Sequence, residues 1–210
     1  MSNEEIRRVT PRRASRKRKF YEISFNYSRS GRPGFSLEDK TLLPYGLSKL
    51  PDFSTPPCFV FDRKVGRLPD DLELYGIFWL VSDQCKAVFE AVDPTGFAFA
   101  ECTVKISKGV YEGPRYWLCD VTRVLDALDE DQSRLKIGIR DDKAYSDFGK
   151  KYYSMAGGAE LVFREDAVGD VHIFRMEYNR MTRICDQVLK DACKAGGLKG
   201  VKFREASKRF

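Results

Sequence analysis

Two segments of the chain each combine a capped helix with a following strand. In the first, Ser82 can accept hydrogen bonds from the free amides of a helix N-terminus, and apolar residues then recur at helical spacing until Asp93-Pro94. A turn at Gly96 leads into the alternating run Phe97–Ile106, which predicts a strand with a different set of side chains on each face. A unit of this kind requires a sheet with a helix packed against it.

The second segment repeats the arrangement near the C-terminus. Asp186 takes the place of Ser82, 104 positions later, and a helix of similar length ends before Gly196-Gly197. The same offset aligns identical residues at five positions: Lys86 with Lys190, Ala91 with Ala195, Gly96 with Gly200, Phe99 with Phe203 and Glu101 with Glu205. A duplicated unit explains this pattern. Shared turn chemistry would also produce it, and the sequence leaves both explanations open.

The remaining signals are mostly those of strands. Residues 29–58 are rich in Gly, Pro and Ser and predict a long ordered loop over the core, and residues 124–128 predict a short helix or turn. We therefore predict an α+β fold with a mixed, mostly antiparallel sheet, two to four helices and a possible weak internal helix–turn–strand repeat. Besides Phe97–Ile106, strands are predicted at residues 20–27, 59–61, 77–81, 116–121, 136–140, 160–164, 171–178 and 201–205.

Charge is distributed unevenly along the chain. Residues 1–19 carry eight basic residues against two acidic ones, and residues 190–210 carry seven against two, so the segment between them has a net charge of about −5. Blocks of like charge without an apolar period are commonly disordered. The sequence therefore predicts a disordered basic arm over residues 1–19 and a single domain over residues 20–210, with a possible division into two lobes near residues 110–135.

Composition narrows the class of protein. Apolar residues make up 42% of the chain, no apolar run approaches the length of a membrane helix, and the N-terminus lacks the apolar core of a signal peptide. We therefore expect a cytoplasmic protein with no membrane partner. The six cysteines include no C-x-x-C pair and the chain has one histidine, so we expect reduced thiols, no metal site and no cofactor.

Residues suited to catalysis are sparse. His172 alternates with Val171 and Ile173 in a predicted strand and has the chemistry of a general base, but a strand histidine with structural hydrogen bonds is the simpler interpretation. No G-x-S-x-G, Walker A or G-x-G-x-x-G motif occurs. We predict that the chain is not an enzyme and carries no catalytic residues, with a hydrolase as the third and least favoured interpretation.

A nucleic-acid-binding module is the alternative from a different class. The basic residues between Arg7 and Lys19 would contact a polyanion, and residues 95–102 partly match the RNA-recognition motif in which aromatic rings on a sheet stack on bases. Thr95 stands where that motif has a basic residue, and Cys102 stands where it has its last aromatic ring. The match is therefore partial, and nucleic acid is not the favoured partner.

A family resemblance rests on short motifs in a fixed order. They are Leu68-Pro69-Asp70, Trp79-Leu80-Val81-Ser82, Ala91-Val92-Asp93-Pro94-Thr95-Gly96-Phe97, Tyr116-Trp117-Leu118, Asp126-Ala127-Leu128-Asp129, Ile173-Phe174-Arg175 and Gly200-Val201-Lys202-Phe203-Arg204-Glu205. In this order they resemble immunity-protein family eleven of bacterial polymorphic toxin systems, formerly a conserved domain of unknown function. The resemblance covers about residues 55–206 and leaves the basic arm outside it. It implies a non-enzymatic protein that binds and silences a toxin inside the producing or sibling cell.

Acidic residues in the middle of the chain offer a surface of complementary charge for such a partner. We predict that they bind a cognate toxin domain and steer its association if that domain is basic. Solvated loops would carry the same residues, so that interpretation stays open, and the oligomeric state is left undetermined. The predicted partner-binding residues are Asp126, Asp129, Glu130, Asp131, Asp141 and Asp142.

Overall fold

A computed structural model describes residues 17–26, 31–144 and 147–208, in which strand content exceeds helix content. This confirms the predicted α+β class. None of the helices in these residues is long and apolar enough to cross a membrane. The strands are β1 (Phe20–Phe25), β2 (Phe35–Leu37), β3 (Cys58–Phe61), β4 (Leu72–Tyr75), β5 (Phe78–Ser82), β6 (Phe97–Ile106), β7 (Tyr116–Val121), β8 (Val124–Leu125), β9 (Lys136–Ile139), β10 (Lys151–Ser154), β11 (Ile173–Met176), β12 (Asn179–Asp186) and β13 (Val201–Glu205). The helices are α1 (Asp83–Val92), α2 (Glu165–Val168) and α3 (Gln187–Ala195), and a 3-10 turn spans Lys40–Leu42.

The strands form two large sheets and one separate hairpin. The first sheet has the order β2-β3-β6-β7-β5-β4, the second has the order β13-β1-β12-β11-β8, and β9 pairs with β10 alone. Neighbours are antiparallel except for β3 with β6 and β8 with β11. The prediction of mixed, mostly antiparallel pairing is therefore confirmed, with the strands divided between sheets.

The two large sheets contain the same unit. In the first sheet β7 lies between β5 and β6, which α1 connects, and in the second sheet β1 lies between β12 and β13, which α3 connects. The pairing register agrees residue by residue: Trp117 pairs with Glu101, and Tyr21 pairs with Glu205, which lies 104 positions after Glu101. Chance similarity of turns does not fix a common register across three strands. The structure therefore supports the repeat.

The identical residues of the repeat have the same packing roles. The Nζ of Lys86 lies 4.6 Å from the centre of the Trp117 ring, and the Nζ of Lys190 lies 3.7 Å from the centre of the Tyr21 ring. Each lysine thus leaves its helix to cover the aromatic ring of the middle strand, where the ring face attracts the cation.

The two aligned glycines permit close contacts between the sheets. A Cβ on Gly96 would stand 2.4 Å from a methyl group of Ile173, the first residue of β11. A Cβ on Gly200, which has a φ of +80°, would stand 2.5 Å from the carbonyl oxygen of Leu72, the first residue of β4. Each unit therefore needs a glycine where the other unit begins its first hairpin.

Both predicted helix caps are confirmed. The hydroxyl of Ser82 accepts a hydrogen bond from the backbone N–H of Cys85 at 3.2 Å, and the carboxylate of Asp186 accepts one from Leu189 at 3.1 Å. The bounds of α1 and α3 agree with the predicted helices, because these caps and the turns after them are local in sequence.

Three hydrophobic clusters cover the sheets on both faces. The central cluster lies between the sheets and includes Cys85 and Phe89 of α1 with Leu189 and Cys193 of α3. A second cluster lies on the outer face of the second sheet, and a third packs the loop before β3 onto the outer face of the first sheet. Buried faces on both sides explain why β5 is buried throughout and why its residues Phe78 to Val81 are all apolar and do not alternate with polar ones.

Several predicted elements were wrong or missing. Where a helix or turn was predicted over residues 124–128, the structure has the two-residue strand β8, and in the predicted strand over residues 160–164 only Glu160 and Phe163 form isolated bridges. The predicted loop over residues 29–58 contains β2, and β4, β10 and β12 were not predicted. The sequence did not predict β12 because Arg183 interrupts its apolar pattern. In the structure this arginine is nevertheless buried, with its guanidinium 5.3 Å from the Trp79 ring and a hydrogen bond to the Met181 carbonyl at 2.9 Å.

The end of the predicted basic arm contacts the second sheet. The guanidinium of Arg18 pairs with the carboxylate of Asp186 at 2.8 Å and donates to the carbonyl of Gly169 at 2.6 Å. The rest of the predicted arm, residues 1–16, lies outside the described residues.

A buried ion pair joins the two sheets. Asp120 of β7 accepts from the guanidinium of Arg175 of β11, and the two residues are 3% and 5% exposed. The backbone N–H of Leu50 donates to the same carboxylate at 3.1 Å. Burial raises the pKa of Asp120 above its usual value although Arg175 acts to lower it. Each charge is therefore stable at this buried position only while the other is present.

We predict that the described chain unfolds as one unit, although the sequence allows two lobes divided near residues 110–135. The central cluster draws residues from both sheets, so disrupting one sheet exposes apolar surface of the other. Both tryptophans, Trp79 and Trp117, lie in the first sheet. In a urea titration, tryptophan fluorescence and far-UV circular dichroism should give coincident transitions. Separate midpoints would show two independent lobes.

We also predict that Asp120→Ala destabilises the fold by about 3–5 kcal/mol, because it leaves the Arg175 cation buried without a counter-charge. The double variant Asp120→Leu with Arg175→Met should recover most of that loss, since it removes both charges and keeps the volume filled. Urea denaturation at neutral pH measures both variants. A loss in the double variant equal to that of Asp120→Ala would contradict this explanation.

Candidate partner-binding surface

The acidic residues predicted from sequence flank one short strand, β9. Four of them lie before β9 and two lie after it, and all are exposed except Asp129, which is half-buried. Those before the strand are Asp126, Asp129, Glu130 and Asp131, and those after it are Asp141 and Asp142. The structure thus places both acidic groups at the hairpin formed by β9 and β10.

The six acidic residues differ in how far their charge is compensated. The carboxylate of Asp129 accepts from the backbone N–H and the side chain of Gln132, at 3.0 and 2.6 Å, and that of Asp142 accepts from the N–H of Ala144 at 2.9 Å. These bonds stabilise local turns. Within the described residues, the carboxylates of three others have no hydrogen-bond or ion-pair partner. They are Asp126, Asp131 and Asp141.

Glu130 is the most strongly engaged of the six. Its carboxylate pairs with the Nζ of Lys151 at 2.6 Å and accepts from the hydroxyl of Tyr153. The hydrogen bond from Lys151 lowers the pKa of Glu130 below its usual value, and the bond from Tyr153 adds to this effect. Glu130 therefore ties β10 to the segment that precedes β9, and it offers a partner less free charge than the neighbouring Asp131 does.

The hairpin is anchored through β10. The ring of Tyr153 is buried in the second cluster, its backbone N–H donates to the Tyr178 carbonyl at 2.8 Å, and its carbonyl accepts from the Asn179 side chain at 3.1 Å. These bonds attach β10 to the turn between β11 and β12. As a result, β9 lies on the outer side of the hairpin.

Two exposed isoleucines on β9 are a feature that sequence reasoning missed. Ile137 is 41% exposed and Ile139 is 60% exposed, and alternation places both on the same face of the strand. Their alternation with polar residues predicts a strand but does not say which face is buried. Exposed apolar side chains next to charged ones are typical of the surfaces that bind other proteins.

Basic side chains occupy the opposite face of β9. Arg134, Lys136 and Arg140 share that face by alternation, and the guanidinium of Arg140 lies 4.8 Å from the Tyr152 ring and 3.4 Å from the carboxylate of Asp147. The surface therefore has acidic ends and a basic middle. The sequence analysis considered only the acidic residues and therefore missed the basic side chains that lie between the two acidic groups.

His172 makes structural hydrogen bonds just before β11 of the second sheet. Its Nδ1 lies 2.8 Å from the carboxylate of Asp186, the residue that caps α3, and its backbone N–H donates to Asp93 at 2.9 Å. Arg18 contacts the same Asp186 oxygen. The imidazole thus positions the cap of α3, which agrees with the structural interpretation of this histidine.

The cysteines lie mostly in the core. Cys58 is half-buried and the other five are buried and free. Burial raises the pKa of Cys102 and of Cys193 to about 12, so both thiols stay protonated at neutral pH. Among the described residues, no group of three or more potential ligands is arranged to hold a metal ion.

A comparison with known families shows which family this chain belongs to. The sequence matches the immunity protein family Imm11 over residues 8–208. The chain belongs to the Imm11 immunity protein family. Membership makes it a toxin-neutralising immunity protein, and the match covers both sheets and the hairpin. It also begins at residue 8, so most of the predicted basic arm lies inside the Imm11 match and not outside it. A search of curated proteins found no match.

In this Imm11 protein the aromatic strand does not present rings for stacking on bases. The ring of Phe97 is buried and stacks on Phe89 of α1 with centroids 4.5 Å apart, and Phe99 stacks on Phe97 while Lys86 lies over its ring. The RNA-recognition interpretation of these two phenylalanines was therefore wrong, because α1 covers that face of the sheet.

Proposed function

We propose that this Imm11 protein binds the toxic domain of a cognate toxin in the cytoplasm and blocks it without catalysing a reaction. The observation that carries the proposal is the family match over residues 8–208. A binding protein of this kind needs a rigid scaffold and a surface with charge and apolar groups to spare. The buried clusters and the exposed side chains around β9 supply these features.

We place the toxin contact at the hairpin and its two acidic flanks. The carboxylates of Asp126, Asp131 and Asp141, which no described residue pairs with, supply long-range attraction for a basic domain, and this attraction raises the rate of encounter. Asp129, Glu130 and Asp142 belong to the same surface but contribute less free charge, because each has an internal partner. The exposed Ile137 and Ile139 lie between the two acidic groups and supply apolar contact area.

Co-production tests the proposed function directly. The toxin domain encoded by the neighbouring reading frame is produced in the bacterial cytoplasm with and without this protein. We expect growth only when both are present, and a complex that survives purification. A toxin that stays fully lethal beside the protein, or turnover of a small molecule by the purified protein, would contradict the proposal.

Charge reversal tests the proposed contact. Asp131→Lys combined with Asp141→Lys should slow association with the toxin domain on the order of tenfold at low salt and make the rate less dependent on salt. Stopped-flow mixing over a range of salt concentrations measures both effects. The matched control is Asp52→Lys with Glu112→Lys, which changes the net charge equally at exposed positions in the loop before β3 and in the turn between β6 and β7. Equal slowing in the control would assign the effect to net charge and remove this surface from the proposal.

A further inference from the structure

The backbone of β9 faces β10 at alternate residues only. The N–H of Arg140 donates to the carbonyl of Lys150 at 2.9 Å, and the register pairs Gly138 with Tyr152. In an antiparallel ladder the residues between such pairs direct their N–H and C=O groups to the other side. Those residues are Ile137 and Ile139, so their backbone groups point away from β10.

This outer edge of β9 has no partner within the described part of the chain. The far edge of β10 is used by Tyr178 and Asn179, whereas no described residue bonds to the backbone of Ile137 or Ile139 from outside the hairpin. An open edge with free donors and acceptors is a template for one more strand. The hairpin is also held in place by its buried Tyr153, so the edge is formed before a partner arrives.

The side chains along the edge define the chemistry of a strand that would pair with it. Neighbours on one face would meet Ile137 and Ile139, and neighbours on the other face would meet Arg134, Lys136 and Arg140. Within the described residues, the side chains of Arg134 and Lys136 have no carboxylate partner. A matching strand therefore carries apolar residues on one face and acidic residues on the other.

The same charges disfavour a second copy of this chain as the occupant. Antiparallel pairing of two β9 strands about Gly138 would set Lys136 of one copy opposite Arg140 of the other. Like charges directly opposite each other destabilise a strand pair. The edge thus favours a strand from a different protein.

We propose that the outer edge of β9 binds an extended segment of the toxin in which apolar and acidic residues alternate, by adding that segment as a third strand. This inference rests on the proposed function and names the part of the partner that is bound. The acidic groups on either side of β9 would then contact basic residues flanking the segment.

A peptide titration tests the edge without the toxin. The full chain, labelled with ¹⁵N, is titrated with a short peptide in which valine and glutamate alternate, and separately with the same peptide carrying lysine in place of glutamate. We expect saturable shifts centred on the amides of Ile137 and Ile139 and slower hydrogen exchange there. Binding of the lysine peptide should be roughly tenfold weaker, from a few unfavourable cross-strand pairs. Equal binding of both peptides, or the largest shifts on another strand such as β13, would overturn the proposal.

Substitutions at Ile137 separate the backbone from the side chain. Ile137→Pro removes an N–H that β10 does not use, whereas Ile137→Ala keeps the N–H and shortens the side chain. Peptide binding should be lost in the proline variant and only weakened in the alanine variant. Lys136→Glu provides a second route that leaves the backbone intact, and it should reduce the preference for the glutamate peptide, because Arg134 and Arg140 remain on the same face. Unchanged preference in Lys136→Glu, or full binding by a folded Ile137→Pro, contradicts strand pairing.

The toxin complex then separates the two levels of the proposal. If the wild-type chain neutralises the toxin domain and Ile137→Pro neutralises it equally well, the strand-pairing inference is wrong and the proposed function stands. If the wild-type chain fails to neutralise the toxin, the proposed function is wrong, and the peptide titration alone decides whether the edge binds a strand.

Discussion

The contact between α1 and α3 holds the two sheets together. Both helices are about three turns long, a length at which a helix is unstable by itself in water. They are stabilised by burial of Phe89 and Leu189 in the central cluster, at roughly 1.5–3 kcal/mol for each side chain of this size. At their crossing, the side chain of Gln84 donates to the carbonyl of Gly196 at 2.6 Å, and a Cβ on Gly196 would stand 3.0 Å from Val88. Each helix is therefore stabilised partly by its contact with the other.

This arrangement determines which surfaces remain for a partner. The large sheets are covered on one face by the central cluster and on the other by the outer clusters, so their broad faces are occupied. The hairpin of β9 and β10 belongs to neither sheet and projects an edge from the second cluster. The buried ring of Tyr153 and its hydrogen bond to Glu130 hold β10 in place. Because β9 is paired with β10, β9 is exposed and yet held in a fixed position. A protein that acts by contact can use such an edge for both backbone and side-chain recognition.

The duplication also explains two different helix caps. Ser82 in the first unit and Asp186 in the second occupy the same position, and each contacts the residue just before the neighbouring strand: Ser82 donates to Asp71, before β4, and Asp186 faces His172, before β11. The Ser82 hydroxyl and the Asp186 carboxylate accept hydrogen bonds from backbone amides at corresponding positions of α1 and α3, so the two different caps do the same work. The single histidine is thus accounted for by the repeat, although neither its neighbours nor its spacing in the sequence pointed to Asp186 as its partner.

The sequence by itself determined the local elements: the caps at Ser82 and Asp186, the bounds of α1, α3, β6, β7 and β13, and the α+β class, because each depends on residues a few positions apart. Its motifs, read in order, also pointed to the family that the match confirms. Only the tertiary structure decided that β12 is a strand despite its arginines and that, among the residues the structure describes, Glu130 is paired while Asp131 is not and the outer edge of β9 is open. Those properties depend on residues distant in sequence, such as Trp79 beside Arg183 and Lys151 beside Glu130, whose proximity no local pattern encodes.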